Sequence, residues 1–485
     1  MNRVMRITFC LLLLVGLAGK PTISYASENR VEATGGLTTI MTDETNDLSL
    51  FLDGNPAGLA LLNTRSRFDL SGQWFYSDQE GPWGTSKQQT WTTIPRISDS
   101  TIRYEGLMLF PTPNWSFQLL GDFLSTQGLP VYTSDTYTLS QYRGLVRAAY
   151  ALPFGALGVE ILNIESDKNY DPGLLNSFTG LASSSGGQNQ MLLKTGIAAT
   201  FPAPSSPDSP RWQAGGFFTT QLGPSVENQN LILYYSNNSN FPVTRTTPTT
   251  DYYSYGGELL YEIPQRVKIR FSTDFINYDT DYDQSVAFYS DGVKSKITYF
   301  QTMNVDCATR LIFPFSEQEN LNLGGSVDIY FTNVPDFLGD GSQFFHNYSN
   351  RQQISTRFGI GLESPKEYTF GFQWKSQNYV VGAQNLLSTG LNSSNTDFDL
   401  YQVAFGGERW LSPTWAFRLG LVLEDRIYTG GNPDTLTTTV DAGFGVEKVF
   451  GRVDFRLFMG QTTDNNNSTN TVGFLGSQIS TTIFL

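Results

Sequence analysis

The sequence predicts an all-β chain: a closed antiparallel transmembrane β-barrel of about 14–18 strands, preceded by an N-terminal plug-like segment. Three observations predict it. Apolar and aromatic residues alternate with small or polar ones through run after run, and a period of two is that of extended strand, whose successive side chains leave on opposite faces. Short breaks between these runs alternate with long polar stretches. Charged residues make up only 16% of the 485 while aromatics reach 14%, against roughly 25% charged in soluble domains. No stretch of about 18 apolar residues follows the N-terminal leader, so membrane helices are not expected.

The clearest unit covers 403–423. Val403 and Phe405 alternate with Ala404, Gly406 and Glu408, and after the break Trp415, Phe417, Leu419, Leu421 and Leu423 alternate with Ala416, Arg418, Gly420 and Val422. Pro413 cannot donate to a strand ladder and marks the turn. One face of this hairpin is wholly apolar; the other is small or charged. In a transmembrane barrel the first meets lipid and the second the lumen.

The chain opens with Arg3 and Arg6, a short apolar run over 7–18 and Ser24-Tyr25-Ala26, which together read as a signal peptide over 1–26. Cys10 would leave with it, and Cys307 alone cannot form an intramolecular disulfide. Losing Arg3, Arg6 and Lys20 deepens the formal net charge from −14 to −17, which argues against a nucleic-acid partner. Residues 27–63 show no long alternation. They hold the acidic stretch 43–47 and then Asn55-Pro56-Ala57-Gly58-Leu59-Ala60, and read as a compact plug ahead of a barrel over 64–485.

Alternation starts at Arg67, with Phe68, Leu70, Gly72 and Trp74 on one face and Asp69 and Ser71 on the other. Tyr104, Gly106, Met108 and Phe110 read as the lipid face of the next strand, which would leave Glu105 to the lumen. Short breaks recur near Pro111, Pro153, 202–210, Pro264, 315–320, 364–367, Pro413 and Phe450. Long polar stretches at 166–188, 223–250, 278–295 and 333–350 read as loops. Eight short turns with both termini on one side give about 18 strands. The last run ends Ile483-Phe484-Leu485, one residue away from the terminal aromatic that barrel-assembly machinery reads. A propeller or stacked-sheet solenoid is the soluble alternative, but no tetrapeptide recurs between the hairpins, and open sheets this aromatic would associate through their edges.

By parity the lumen face carries both signs of charge, including Arg143, Arg147, Glu160, Lys268, Arg270, Glu408, Arg418 and Asp454. They read either as ion pairs holding the wall or as contacts for a polar solute, with Arg143, Arg147, Lys268 and Arg270 the candidate anion contacts. Catalysis is poorly supported: His346 is the single histidine and reads as a loop residue. No cofactor or metal set is expected; the aspartates at 279, 281 and 283 read as a solvated loop tip or a loose calcium loop.

The Asn55-to-Ala60 segment resembles the Asn-Pro-Ala segment of the outer-membrane transporters of long-chain fatty acids and aromatic hydrocarbons. The hairpin Gly407-Glu408-Arg409-Trp410-Leu411-Ser412-Pro413, with Arg418-Leu419-Gly420, is similar to that family's late hairpins. The resemblance implies a luminal hatch containing Asn55, Pro56 and Ala57, and a hydrophobic substrate that enters from outside and leaves sideways through the wall. This chain departs from that family in its higher strand count and its acidic hatch. The expectation is an outer-membrane channel for small, hydrophobic molecules in a Gram-negative bacterium, its partners being outer-membrane lipid, a small-molecule solute and the barrel-assembly machinery. The alternative is a non-transporting barrel serving as scaffold, adhesin, or secretion or electron-conduit partner.

Overall fold

A computed structural model describes Thr34, Leu37 and residues 55–61, 66–78, 96–129, 136–171, 181–201, 210–223, 225–235, 239–263, 266–286, 293–316, 318–339, 344–364, 367–385, 398–428, 434–465 and 471–485. The leader over 1–26 and the acidic stretch 43–47 lie outside these residues. Among the described residues the strands are β1 (Arg67–Asp78), β2 (Arg96–Leu109), β3 (Trp115–Leu129), β4 (Thr136–Leu152), β5 (Gly155–Asp171) and β6 (Leu181–Phe201). Then come β7 (Arg211–Gln221), β8 (Ser225–Tyr235), β9 (Ser239–Ile263), β10 (Val267–Val286), β11 (Val293–Pro314), β12 (Asn320–Gly339) and β13 (Phe344–Ser364). The set ends with β14 (Tyr368–Asn385), β15 (Phe398–Ser412), β16 (Trp415–Tyr428), β17 (Thr435–Lys448), β18 (Gly451–Asp464) and β19 (Thr471–Phe484).

Every pairing is antiparallel, and the sheet closes on itself. β1 pairs with β2 on one side and with β19 on the other, where Phe68 lies opposite Ile483 and Trp74 opposite Ser477. The Thr482 hydroxyl donates to Asp69 across this seam at 2.7 Å. β7 and β8 both lie between β6 and β9. They are two halves of one crossing, broken beside Gly223, whose φ of 83° is left-handed backbone that a glycine tolerates. The nineteen segments therefore make eighteen staves, at the upper end of the expected range, and the eight short breaks fall where the sequence puts them.

Strand length departs from expectation. β9 runs 25 residues and β6 and β13 run 21, whereas about 9–11 suffice to cross a tilted bilayer. Much of the polar stretches read as loops is paired strand: Tyr170 faces Ser184, and Gly339 faces Phe344. His346 accordingly lies on β13 opposite Phe337 rather than in a loop. Asp281 and Asp283 lie on β10 in register with Lys296 and Lys294 of β11, so this stretch is paired strand rather than a loop tip. The physical reason is that ladder hydrogen bonds join backbones whatever the side chains, so hairpins with two polar faces continue beyond the membrane.

Outward residues are apolar and half-exposed along the staves, among them Leu119, Val146, Ile197, Phe218, Phe271, Phe358, Phe370 and Leu419. Their exposure, with no second layer among the described residues over them, is the property of a lipid-facing wall. Facing inward between β15 and β18, Arg418 is fully buried between Glu408 and Asp454, each at 2.7 Å. Trp410 donates its indole N–H to Glu408 at 2.8 Å, and Arg452 holds the far side of Asp454 at 2.5 Å. Phe484 shares the inward face of Arg67, which explains the displaced terminal aromatic.

One stave is turned over relative to the sequence expectation. Met108 is buried against Leu59 of the N-terminal segment, with Phe110 packed alongside. Glu105 and Leu107 instead share the outward face with Leu119, and Glu105 is exposed. Parity assigned the apolar side of β2 to lipid, but here the apolar side covers the N-terminal segment.

Replacing Arg418 by Met should leave the buried Glu408 carboxylate without its cation and weaken the hold on Asp454, which keeps Arg452, and removing one partner of a buried pair costs about 3–5 kcal/mol. A lowered unfolding midpoint, followed by heat-modified gel mobility in detergent, is the expected outcome; an unchanged midpoint would refute the role given to this guanidinium.

Candidate functional site

Asn55 opens a short 3-10 turn over Pro56–Leu61. Its Oδ1 accepts the backbone N–H of Ala57 at 3.0 Å, and its backbone carbonyl accepts from Gly58 at 3.0 Å. Asparagine is a favoured N-cap because its side chain satisfies a donor that the first turn leaves open, and proline is pre-set for the position after it. The other end of the side chain ties this turn to the wall: Nδ2 donates to the Ile197 carbonyl of β6 at 2.7 Å. Glu258 of β9, itself buried, also lies in hydrogen-bonding reach of the Asn55 amide.

The wall is hollowed to receive this turn. Gly158 of β5 and Gly196 of β6 are register partners, and Gly215 of β7 lies opposite Ala198. A Cβ on Gly158 would sit 2.3 Å from the Ala57 nitrogen; on Gly196 it would sit 2.0 Å from Asn55 Oδ1, and on Gly215 2.5 Å from Asn55 Nδ2. Only glycine allows so close an approach at these three positions. Ala57 then packs on Ala156 and Ala198, while Leu59 packs on Met108 and Ala149. Gly158 shares the face of Glu160 and opposes that of Val159 and Leu157, so the turn is seated on the luminal surface.

A second seat lies across the ring. A Cβ on Gly406 of β15 would sit 2.1 Å from the Thr34 carbonyl oxygen, and Leu37 is buried against Ala404 and Val422. With β7 and β8 counted as one stave, β15 stands eight staves from β6 one way and ten the other. The described residues of the N-terminal segment thus touch nearly opposite walls.

The four basic candidates fall into two kinds. Arg147 gives its Nε to Glu160 at 2.7 Å and Nη1 to Gln118 at 3.2 Å, with Lys194 on the other oxygen of Glu160 at 3.9 Å. Arg270 is ion-paired with Asp306. Both guanidiniums hold neighbouring staves together. Arg143 is exposed on the luminal face of β4, and Lys268 is half-buried on β10 in register with Glu262 and Arg310. Asn55, Pro56 and Ala57 come together in one seat; the basic residues are spread over β4 and β10. No group of three or more His, Cys, Asp or Glu among the described residues could hold a metal. Sequence reasoning missed Gly158, Gly196, Gly215 and Gly406. The one available signal was that Gly158, Gly196 and Gly406 each lie two residues from an alanine on the same luminal face, Ala156, Ala198 and Ala404.

A closed ring of eighteen antiparallel staves, apolar outside and charged inside, has the fold of a transmembrane β-barrel. No family model and no curated protein matches the chain. Solved structures do. The ferric yersiniabactin uptake receptor FyuA from Yersinia pestis is similar at TM-score 0.50 and 11% identity, over 87% of this chain and 80% of that one. The toluene transporter TbuX from Ralstonia pickettii is similar at TM-score 0.39 and 11% identity, over 94% and 97% of the two chains. The Pseudomonas putida toluene transporter TodX is similar at TM-score 0.39 and 10% identity, over 96% and 100%. At these identities the likeness bears on fold alone.

Gly196→Leu should displace the turn while leaving the outward face of β6 untouched. The expected result is a heat-modifiable barrel in which a cysteine placed at Ala57 becomes reactive to a water-soluble maleimide. Equal labelling with and without Gly196→Leu would show that the notch does not hold the segment.

Proposed function

We propose that the protein is an outer-membrane channel of a Gram-negative bacterium that passes small hydrophobic molecules, with residues 27–63 acting as the hatch. The observation that carries this reading is the seating of the N-terminal segment on nearly opposite luminal walls, at Gly158, Gly196 and Gly215 on one side and Gly406 on the other. A segment held there obstructs the lumen, and its release would open it. The seat holds few residues, though they are fully buried, and its local opening costs less than unfolding the ring.

The luminal wall beside the hatch supports an apolar solute. Met108, Leu192, Ala198 and Leu260 all face inward there and are buried. At the same depth the charges of Arg147, Glu160 and Lys194 are taken up by one another. Arg143, nearer the loop ends than the seat, and Lys268, nearer the short turns, would contact polar groups of the solute on either side of the seat, while Arg147 and Arg270 keep their staves in place.

Reconstitution tests the proposal. Liposomes bearing the full chain should take up toluene or phenol slowly, and removing 27–63 should raise the rate at least tenfold without a matching rise for a sugar of similar size. Absence of uptake in both forms, with the barrel still heat-modifiable, would overturn transport and leave the scaffold reading.

A further inference from the structure

The outer wall carries one concavity that the transport reading does not use. On the lipid face of β14–β17 the register places three rows side by side. Tyr368, Arg409, Phe417 and Phe444 form the row nearest the short turns. Phe370, Gly407, Leu419 and Ala442 form the next, and Phe372, Phe405, Leu421 and Val440 the one above. In the middle row two of the four positions, Gly407 and Ala442, have almost no side chain. The result is a groove of about 630 Å³ whose floor is the β15 backbone and whose rims are Phe370, Phe405, Leu419 and Leu421. Its lining is apolar except at one end.

That end is Arg409, an exposed cation on an otherwise greasy face. It lies three residues before β15 ends at Ser412, so about 10 Å from the turn at roughly 3.3 Å per residue. A cation on the lipid face is tolerated at this interfacial depth and not at the midplane. The guanidinium is 5.9 Å from the centroid of the Tyr368 ring, which holds it over the groove mouth. Two acids stand nearby, on the turn side. Glu319 already accepts hydrogen bonds from Tyr368 and Ser316, and Glu367 is exposed. The ligand this arrangement fits has a long apolar chain and an anionic head at one end.

We propose that the groove binds one phospholipid of the leaflet on the short-turn side, with an acyl chain lying over Gly407 and the phosphate on Arg409. Guanidinium and phosphate match in charge and in paired donor geometry, which a diffuse boundary lipid does not need. Short turns face the periplasm in outer-membrane barrels, so the leaflet concerned is the periplasmic one. The site stands on the outer wall and does not depend on what passes through the lumen.

Native mass spectrometry of the full chain in detergent tests it, with dipalmitoyl phosphatidylglycerol and the phosphate-free dipalmitoylglycerol as probes. Phosphatidylglycerol should remain as a one-to-one adduct, at least tenfold tighter than dipalmitoylglycerol. Arg409→Gln should reduce that preference at least fivefold, Arg409→Lys should keep part of it, and Leu419→Trp, which fills the groove from its exposed rim, should abolish the adduct. Heat-modified mobility identifies folded protein in each case. Equal retention of both lipids, or wild-type retention in folded Arg409→Gln and Leu419→Trp, would overturn the proposal. So would a dimer that these variants dissociate, because a second copy would then be the occupant.

Discussion

The hydrogen bonds between β1 and β19 close the ring, and the rest of the architecture depends on them. In hydrocarbon an unpaired peptide group has no water to turn to, so a sheet in the membrane is stable only when its first and last strands find each other. Here the seam runs the length of β1, from Arg67 opposite Phe484 to Asp78 opposite Gly473. Once it closes, every stave has two neighbours. The outward face is then free to be as apolar as the lipid demands, since no edge remains to recruit another chain.

Closure also creates an inside, and the inside follows different rules. Charges that would be costly facing lipid pair inside the ring, as Arg418 does with Glu408 on the next stave and with Asp454 two staves away, and Arg456 does with Asp441 at 2.8 Å. These pairs are neighbours because the register makes them so. Gly445 leaves the space they occupy: a Cβ there would sit 2.5 Å from Asp454 Oδ1 and 2.6 Å from Arg418 Nη2. The same device, a glycine where the lumen is crowded, makes the seat for Asn55 and Ala57. Bulk is removed from the wall wherever another part of the chain must lie against it.

The seat of the N-terminal segment and β2 are linked by that logic. Leu59 needs apolar cover, and Met108, Ala149 and Phe110 supply it from the luminal side. With Met108 and Phe110 turned inward to supply that cover, strand parity puts Glu105 on the outer face. The N-terminal segment thus leaves its mark on the composition of the wall, which no single strand reveals when its alternation is read alone.

Alternation of two along Val403–Leu423 and its copies was enough to determine strands, the eight short breaks, an apolar outside and a charged inside, because side-chain parity is a property of each strand by itself. The cap that Asn55 makes at Ala57 is local too, made two residues away, yet the sequence reads no further than a compact segment there. Strand length beyond the membrane, the reversal of β2, the break between β7 and β8, and the meeting of Gly158, Gly196 and Gly215 were decided only by the tertiary structure. Each depends on what lies opposite in a neighbouring stave or in the lumen, and partners separated by about 40 to 400 residues are set by register and closure, which local pattern does not encode.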